Sequence, residues 1–411
     1  MFSKPGRLPL LLAGLLFIES PAPAQIDPEK RQLFQLGYNQ PLQGKGPLSG
    51  YAFYYRNEPG FLRTNLTLRL AIAPVYLDSE LGIANALSPR TDLGIGLAGG
   101  GFADSYSEVR RGKYWKEESF TGHGADASVS LYHRFNPGSV IPLNAVLRGS
   151  VHHSVFERDS DTADAFLIPD DLTSFKVRAG LRLGGREPLM LPALGLELSA
   201  WYEGQFRTDP DTYGFNDNRS IQADSHLFWA RALFIYTLPE MRHNLAFNLT
   251  AGTSLSPDRF SAYRIGGVLP LASEFPLNLP GYYFQELSAD QFVLFGLQYT
   301  LPLDAANRWN LIAVANTATI DYLPGTEQSG HWHTGVGGGL AYRSPERAWQ
   351  IILSYSYGID AIRRHGRGAH SIGFLLQYDL EADLREERPF FENWEWIKPG
   401  NWRGFDQLLG R

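Results

Sequence analysis

Two neighbouring segments, 174–184 and 195–207, place charged residues at alternating positions, a spacing that could steer ions or polar solutes. The charged residues are Lys176, Arg178 and Arg182 in the first segment and Glu197, Glu203 and Arg207 in the second. On two paired strands, such rows would set a transverse field across a water-filled lumen. Alternatively, the rows pair with each other across the strands and satisfy the charges of the interior. The sequence leaves both interpretations open.

Other residues with reactive side chains lack a decisive spacing. His331 and His333 lie two residues apart and could share one face of a strand, but no nearby carboxylate completes a metal site. His153, Ser154 and Asp159 have the side chains of a hydrolytic triad, but no motif fixes their geometry. The chain contains no cysteine, which excludes disulfides and thiolate chemistry. We therefore expect no catalytic residues, no metal and no cofactor.

Nucleic acid is excluded as a partner by charge. The formal net charge of the 411-residue chain is -6, whereas a nucleic-acid scaffold is expected to be basic. The sequence also lacks a phosphate-binding loop and a dinucleotide fingerprint.

Alternation of apolar and polar residues runs along most of the chain and predicts β-strands. In segments 62–72, 174–184, 195–207 and 371–380, one face is apolar and the other is polar or charged. Strands of soluble proteins are shorter, at about 5–6 residues, and their apolar face turns inward. Long strands with a charged face fit a transmembrane barrel that is apolar outside and polar inside. The sequence therefore predicts an all-β, transmembrane antiparallel β-barrel.

The organisation of the chain follows from its flanking segments. Residues 1–24 resemble a secretory signal peptide, with basic residues, an apolar run over 8–18 and a small-residue cleavage site. We expect 25–47 to be a short periplasmic lead and 48–380 to be the barrel. Residues 381–411 then form a Trp-rich periplasmic tail. This organisation places the protein in the outer membrane of a Gram-negative-type cell, in contact with its lipids.

Connection lengths predict the number of strands. From residue 124 onward, eleven strands are joined by links that alternate between short and long, as periplasmic turns and external loops do in outer-membrane barrels. The long links include 256–287 and 359–369. Residues 48–111 supply three or five further strands. The barrel accordingly has sixteen strands, with fourteen as the alternative.

Three stretches in the C-terminal half carry a family resemblance. They are Gly266-Gly267 followed by Leu279-Pro280-Gly281-Tyr282, the strand 292–303, and the strand pair within 334–355. In this order, they resemble the outer-membrane assembly-barrel superfamily, which includes BamA, TamA and the two-partner secretion transporters. The resemblance implies sixteen strands and a 256–287 loop that folds back into the lumen. It covers roughly residues 222–380.

The loop motif departs from the family pattern at one position. The family has an arginine before Gly-Phe or Gly-Tyr, and Pro280 stands there in this chain. Arg264, just before the glycine pair, is the candidate substitute. The resemblance thus gives a lumen-loop motif of Arg264, Gly266, Gly267, Pro280, Gly281 and Tyr282. The chain also lacks room for the substrate-binding modules that usually precede such barrels.

The final strand carries a candidate assembly signal formed by Ser371, Gly373, Leu376 and Tyr378. Strand pairing and pockets for alternate side chains would let the barrel-assembly machinery recognise it during biogenesis. We expect aromatic residues elsewhere to form girdles at the membrane interfaces, namely Tyr51, Phe53, Tyr55, Trp229, Tyr236, Tyr282 and Tyr283. The implied function is membrane-embedded protein assembly or transport of an unknown client. A passive pore for small polar solutes is the alternative, and an outer-membrane hydrolase is third.

Overall fold

The computed structural model describes residues 30–136, 139, 141–186, 194–238, 241–268, 275–364 and 366–381. The predicted signal peptide lies outside these ranges, as does the C-terminal tail beyond residue 381.

No helix in the described part of the chain is long and apolar enough to cross a membrane.

In the described part of the chain, twenty-one strands follow one another, and sixteen of them form the wall of one barrel. The wall strands are β1 (Arg31–Pro41), β2 (Gly50–Pro59), β3 (Leu66–Ala73), β4 (Tyr76–Ser88), β5 (Thr91–Gly100), β7 (Lys113–Arg134), β8 (Leu143–Glu157), β10 (Leu172–Arg186), β11 (Leu194–Arg207), β14 (Asp224–Thr237), β15 (Asn244–Leu255), β17 (Leu287–Pro302), β18 (Trp309–Tyr322), β19 (Trp332–Arg343), β20 (Trp349–Arg363) and β21 (Gly366–Asp379). The short strands within the long connections are β6 (Tyr106–Arg110), β9 (Phe166–Leu167), β12 (Thr212–Phe215), β13 (Arg219–Ser220) and β16 (Tyr263–Ile265).

The barrel is closed by pairing between its first and last strands. Each wall strand pairs antiparallel with the next, and β1 pairs with β21 over nine positions, from Leu33 opposite Asp379 to Pro41 opposite Ser371. Closure removes the unpaired edges that an open sheet would expose. The prediction of an all-β antiparallel barrel with sixteen strands is confirmed, and the fourteen-strand alternative is wrong.

The start of the barrel differs from the prediction. Strand β1 lies inside the 25–47 segment that was expected to be a periplasmic lead, so the wall begins at Arg31 rather than at residue 48. Phe34 and Leu36 on β1 face outward, while Gln35 and Asn39 face the lumen and are 2% exposed. Strand β1 therefore has the same apolar-out, polar-in alternation as the other wall strands.

A second boundary differs at the other end of the chain. Residues 359–369 were expected to form a long loop, but β20 and β21 continue through most of this segment. Their register is irregular between Gly358 and Ile362. This β-bulge interrupts the alternation of side chains. For that reason the strand predicted from the sequence ended at residue 358.

The two faces of the wall have opposite character. On β10, Val177 and Leu181 face outward and are 39% and 52% exposed. Lys176, Arg178 and Arg182 lie on the opposite, lumenal face of the same strand. Exposed apolar side chains around a closed barrel match a surface that contacts lipid.

Most of the expected girdle aromatics lie inside the barrel. Tyr51 packs against the inward-facing cluster of Ile312, Ala341, Ile352 and Leu375. Trp229 stacks on Trp201 in the lumen at 6.1 Å between ring centroids. The register puts Phe53 and Tyr55 on the same inner face as Tyr51. Tyr282 and Tyr283 are buried in the loop between β15 and β17, so among the seven residues only Tyr236 keeps an outward position.

Glycines opposite these rings explain the inward placement. A Cβ on Gly37 would lie 2.7 Å from the Tyr51 ring, and one on Gly180 would lie 2.2 Å from Trp201. The rings therefore lie flat over the glycines of neighbouring strands.

Candidate functional site

The loop between β15 and β17, called here the lumen loop, enters the barrel. Phe275 packs against the rings of Trp201 and Trp229 on β11 and β14, at centroid distances of 5.2 and 5.6 Å. On another part of the wall, the side-chain amide of Asn316 on β18 donates a 2.8 Å hydrogen bond to the carbonyl of Asn278. The loop thus contacts well-separated strands, as its predicted position in the lumen requires.

Glycines on both sides allow the lumen loop to press against the wall. Gly281 has φ +83°, and a Cβ there would lie 1.8 Å from the backbone nitrogen of Gly358 on β20. A Cβ on Gly335 of β19 would lie 2.1 Å from the carbonyl oxygen of Pro280. The backbones meet without intervening side chains, so the seat of the loop depends on these small residues.

The remaining motif residues organise the loop itself. Gly266 and Gly267 have φ +142° and +78°, and Gly267 forms a β-bridge with Leu279. The Tyr282 side chain is fully buried, and its hydroxyl lies 3.1 Å from His333 Nδ1. Tyr282 therefore attaches the C-terminal part of the lumen loop to β19.

Both ring nitrogens of His333 are hydrogen-bonded to tyrosine hydroxyls. Nδ1 bonds Tyr282, and Nε2 bonds Tyr322. His331 instead bonds the carbonyl of Ile320. No group of three His, Cys, Asp or Glu side chains in the described ranges could hold a metal ion.

The ion pair that anchors the loop was not predicted. Glu286 at the end of the loop forms a bidentate pair with Arg363 on β20, with N···O distances of 2.7 and 3.0 Å. The Arg363 guanidinium lies 3.8 Å from the centre of the Tyr283 ring. Sequence reasoning missed Arg363 because the predicted strand ended at 358. The two adjacent arginines, Arg363 and Arg364, were the available signal.

Arg264, the candidate substitute for the family's arginine, contacts another long connection. Its guanidinium donates to the carbonyls of Ser107 and Gln285 at 2.9 and 3.1 Å, and it lies 5.2 Å from the Tyr106 ring. These contacts join the lumen loop to the β6–β7 hairpin. The arginine of the observed ion-pair anchor, Arg363, lies on wall strand β20.

The lumen loop also reaches the junction of the first and last strands, called here the seam. The Tyr283 hydroxyl donates a 3.0 Å hydrogen bond to the carbonyl of Gln43, in the connection between β1 and β2. Gly44 and Gly46 leave room for its ring. The Gln43 side chain in turn accepts a bond from the backbone of His370 on β21. Loop and seam are thus linked at the barrel end that carries the long connections.

The charged rows of β10 and β11 form ion pairs across the strands. Arg178 lies 2.6 Å from Glu203, and Arg182 lies 3.8 Å from Glu197. Arg207 reaches into the lumen loop and pairs with Asp258 at 2.7 Å, where both side chains are almost fully buried. The structure places all six predicted residues on the lumenal face of the paired strands β10 and β11. Lys176 lies two positions before Arg178 on β10.

Long connections cover one mouth of the barrel. The cover is an apolar cluster of Tyr106, Phe120, Phe156, Phe166, Leu172, Tyr213 and Ile221. Glu108 lies beside it, 3.0 Å from Arg259 and 2.8 Å from Arg110. Burial alone raises the pKa of the Glu108 carboxyl, but Arg259, Arg219 and the Tyr106 hydroxyl outweigh burial and hold that pKa below its ordinary value.

The candidate assembly signal lies on the β21 side of the seam. Ser371 pairs with Pro41 of β1, Gly373 with Asn39, Leu376 with Leu36, and Tyr378 with Phe34. Tyr378 faces outward and is 40% exposed. A Cβ on Gly373 would lie 2.4 Å from the hydroxyl of Ser354.

The residues considered for hydrolysis do not form a triad. Ser154 faces the lumen and bonds Asp104, whereas His153 lies on the outer face and bonds Thr173. Consecutive strand residues point to opposite faces, so the two side chains cannot act together.

The barrel resembles known proteins in its structure, but only at low sequence identity. No protein-family model and no curated protein matches the sequence. Among solved structures, CdiB from Acinetobacter baumannii aligns with a TM-score of 0.56 and 9% identity, over 85% of this chain and 60% of that one. BamA from Haemophilus ducreyi lacking POTRA domains 1–3 aligns with a TM-score of 0.51 and 14% identity, over 85% and 70%. The chain has the barrel fold of CdiB and BamA.

CdiB from Escherichia coli gives a similar result, with a TM-score of 0.55 and 12% identity over 86% of this chain and 63% of that one. The chain thus spans less than two thirds of the two CdiB proteins. At these identities the likeness is one of fold. It agrees with the sequence resemblance to assembly barrels.

Proposed function

We propose that this CdiB- and BamA-like barrel inserts or transports polypeptide chains at the outer membrane of a Gram-negative-type cell. The observation that supports the proposal best is the lumen loop, which is seated on β19 and β20 and bonded through Tyr283 to the seam. Such a connection couples movement inside the lumen to the junction of the first and last strands. In this arrangement the long connections face the outside, and the short turns face the periplasm.

The seam contains the backbone hydrogen-bonding groups with which a client chain could pair. If β1 and β21 separate, each exposes a row of backbone N–H and C=O groups that can pair with an incoming strand. In lipid these groups must find partners, so an open seam favours strand addition. The client, the surrounding lipids and the assembly machinery that folds this barrel are the partners that the proposal requires.

A passive pore for small polar solutes is the second candidate. The partly exposed arginines of the lumen support it, since they keep part of the interior wet. The lumen loop and the covered mouth favour insertion or transport.

Seam locking tests the proposal. The chain has no cysteine, so paired cysteines can be introduced cleanly. Leu36→Cys with Leu376→Cys would lock the seam, and Leu249→Cys with Phe295→Cys would lock β15 to β17 as a matched control on the same outer face. The measurement is the folding rate of a urea-unfolded small barrel polypeptide added to vesicles that contain the protein.

We expect vesicles with the wild-type protein to accelerate folding over empty vesicles. Oxidation of the seam pair should remove the acceleration, reduction should restore it, and the control lock should leave it intact. Equal rates in empty and loaded vesicles, together with a steady wild-type conductance in planar bilayers, would support the pore instead.

A further inference from the structure

Three arginines converge on one part of the lumen, called here the arginine groove: Arg69 on β3, Arg148 on β8 and Arg178 on β10. Strands β4, β5 and β7 lie between β3 and β8 in the wall. Arg148 and Arg178 are directly paired residues of adjacent strands. Like charges at such positions destabilise a sheet unless other groups offset them. Their placement therefore needs an explanation beyond strand pairing.

Two carboxylates, those of Glu80 and Glu203, offset the positive charges of these arginines. Glu80 lies 3.0 Å from Arg148 and 3.6 Å from Arg69, and it also accepts a 2.8 Å hydrogen bond from the Tyr132 hydroxyl. Glu203 lies 2.6 Å from Arg178. Glu80 bridges two guanidinium groups, as an anionic ligand would.

Exposure separates the two signs of charge. The Glu80 and Glu203 side chains are 6% and 11% exposed, whereas those of Arg69, Arg148 and Arg178 are 38%, 30% and 33% exposed. Since the acids lie beneath the bases, the groove presents guanidinium groups to the lumen. The strand alternation places Lys176 next to Arg178 on the same face.

Small residues keep the groove open beside the arginines. A Cβ on Gly94 would lie 2.9 Å from the Glu80 carboxyl carbon, and one on Gly96 would lie 3.4 Å from a terminal nitrogen of Arg148. Buried Nε of Arg148 has no hydrogen-bond partner. Toward the covered mouth the groove ends where His152 pairs with Asp104 at 2.8 Å and lies 3.7 Å from Asp126.

We propose that the arginine groove binds a small multivalent anion that carries phosphate or carboxylate groups. Guanidinium groups match such oxyanions with paired, charge-assisted hydrogen bonds. The ligand would bridge the exposed guanidinium groups of Arg148 and Arg178, which are paired on adjacent strands. The site goes beyond the handling of polypeptides and does not depend on the seam.

Calorimetric titration of the detergent-folded barrel with pyrophosphate, in a chloride buffer of fixed ionic strength, tests the proposal. We expect saturable binding of about one anion per barrel. Arg148→Gln and Arg178→Gln should each raise the Kd at least tenfold, about 1.4 kcal/mol. Arg63→Gln, an exposed arginine of the turn after β2, is the matched control and should change the Kd less than twofold.

Citrate serves as the second ligand and distinguishes carboxylate from phosphate preference. Heat-modified migration on gels verifies that each variant is folded. If Arg148→Gln fails to fold, Lys176→Gln replaces it, with an expected Kd increase of at least threefold. Absence of saturable heat with both anions, or an unchanged Kd in the folded groove variants, would overturn the proposal. Neither result bears on the folding assay with the locked seam.

Discussion

Arg363 and Glu286 join the wall to the lumen loop through two N···O contacts of 2.7 and 3.0 Å, with side chains that are only 4% and 1% exposed. The acid belongs to the loop and the base to the wall. The resemblance to assembly barrels had suggested a loop arginine instead. Because both charges are buried, either one alone would be costly, and the pair holds the loop in place.

Arg363→Gln is expected to loosen the lumen loop, because it leaves the Glu286 carboxylate buried without its cation. Breaking a buried pair costs about 3–5 kcal/mol, and we expect the loss mainly as local unseating of the loop. Single-channel conductance in planar bilayers should rise above that of the wild type. The double variant Arg363→Gln with Glu286→Gln restores a neutral pair and should return the conductance toward the wild-type level. An unchanged conductance in the single variant would contradict the anchor.

Gly281→Ala is expected to unseat the same loop through its backbone. The new Cβ would lie 1.8 Å from the Gly358 nitrogen, and φ is +83°. Gly60→Ala is the matched control, since Gly60 has φ +77° and no atom within 4 Å of the added Cβ. Both variants carry about 1–2 kcal/mol of backbone strain, but only Gly281→Ala adds the clash. Protease cleavage within 256–286 measures the difference, and equal cleavage in both would refute the close contact.

Leu181→Arg is expected to destabilise the inserted barrel by about 2–4 kcal/mol if the site lies near the bilayer midplane, because Leu181 faces lipid. Urea unfolding in vesicles measures the loss. A labelling experiment provides the control: Leu181→Cys should react with a lipid-soluble probe, and Arg182→Cys with a water-soluble one. The reverse labelling would show that the faces are assigned wrongly.

Gly373→Val and Tyr378→Asp are expected to lower the amount of folded barrel in outer-membrane fractions while synthesis continues. If 371–378 is an assembly signal, both changes alter groups that the machinery reads. Deletion of 382–411 should do less harm, because β21 ends before that segment. Heat-modified migration of the outer-membrane fraction is the measurement.

A clash inside the fold offers a competing cause for the Gly373 effect, since its Cβ would lie 2.4 Å from the Ser354 hydroxyl. Adding Ser354→Gly removes this contact. Recovery in the double variant, together with a harmless Tyr378→Asp, would mean that the signal assignment is wrong.

The covered mouth is expected to open in acid. The pKa of the Glu108 carboxyl is held below its ordinary value, which is about 4.3 in unfolded chains. Its contribution to stability is therefore complete above the unfolded pKa and is lost as the pH falls through the folded pKa. Hydrogen exchange over 106–120, corrected for intrinsic rates, should stay slow from about pH 7 to 5 and quicken below about 4. Glu108→Gln should remove this dependence, whereas Glu117→Gln, an exposed residue, should preserve it.

Alternation in the sequence was sufficient to predict most of the wall strands and the faces of segments such as 174–184. Val177 and Arg178 point to opposite sides because successive side chains of a strand do so, a local property that needs no knowledge of the partner strand. The lumenal position of the 256–287 loop followed from the resemblance, which rests on residues whose order is visible in the chain.

Only the tertiary structure decided features that depend on distant partners. Strand β1 was placed in the wall by its pairing with both β2 and β21, which lie far apart in the sequence. Tyr51 turned inward because Gly37 leaves room beside it. Glu286 and Arg363, separated by 77 residues, meet because the loop returns into the barrel and a bulge extends β20. Such contacts arise from closure of the barrel, which no local pattern encodes.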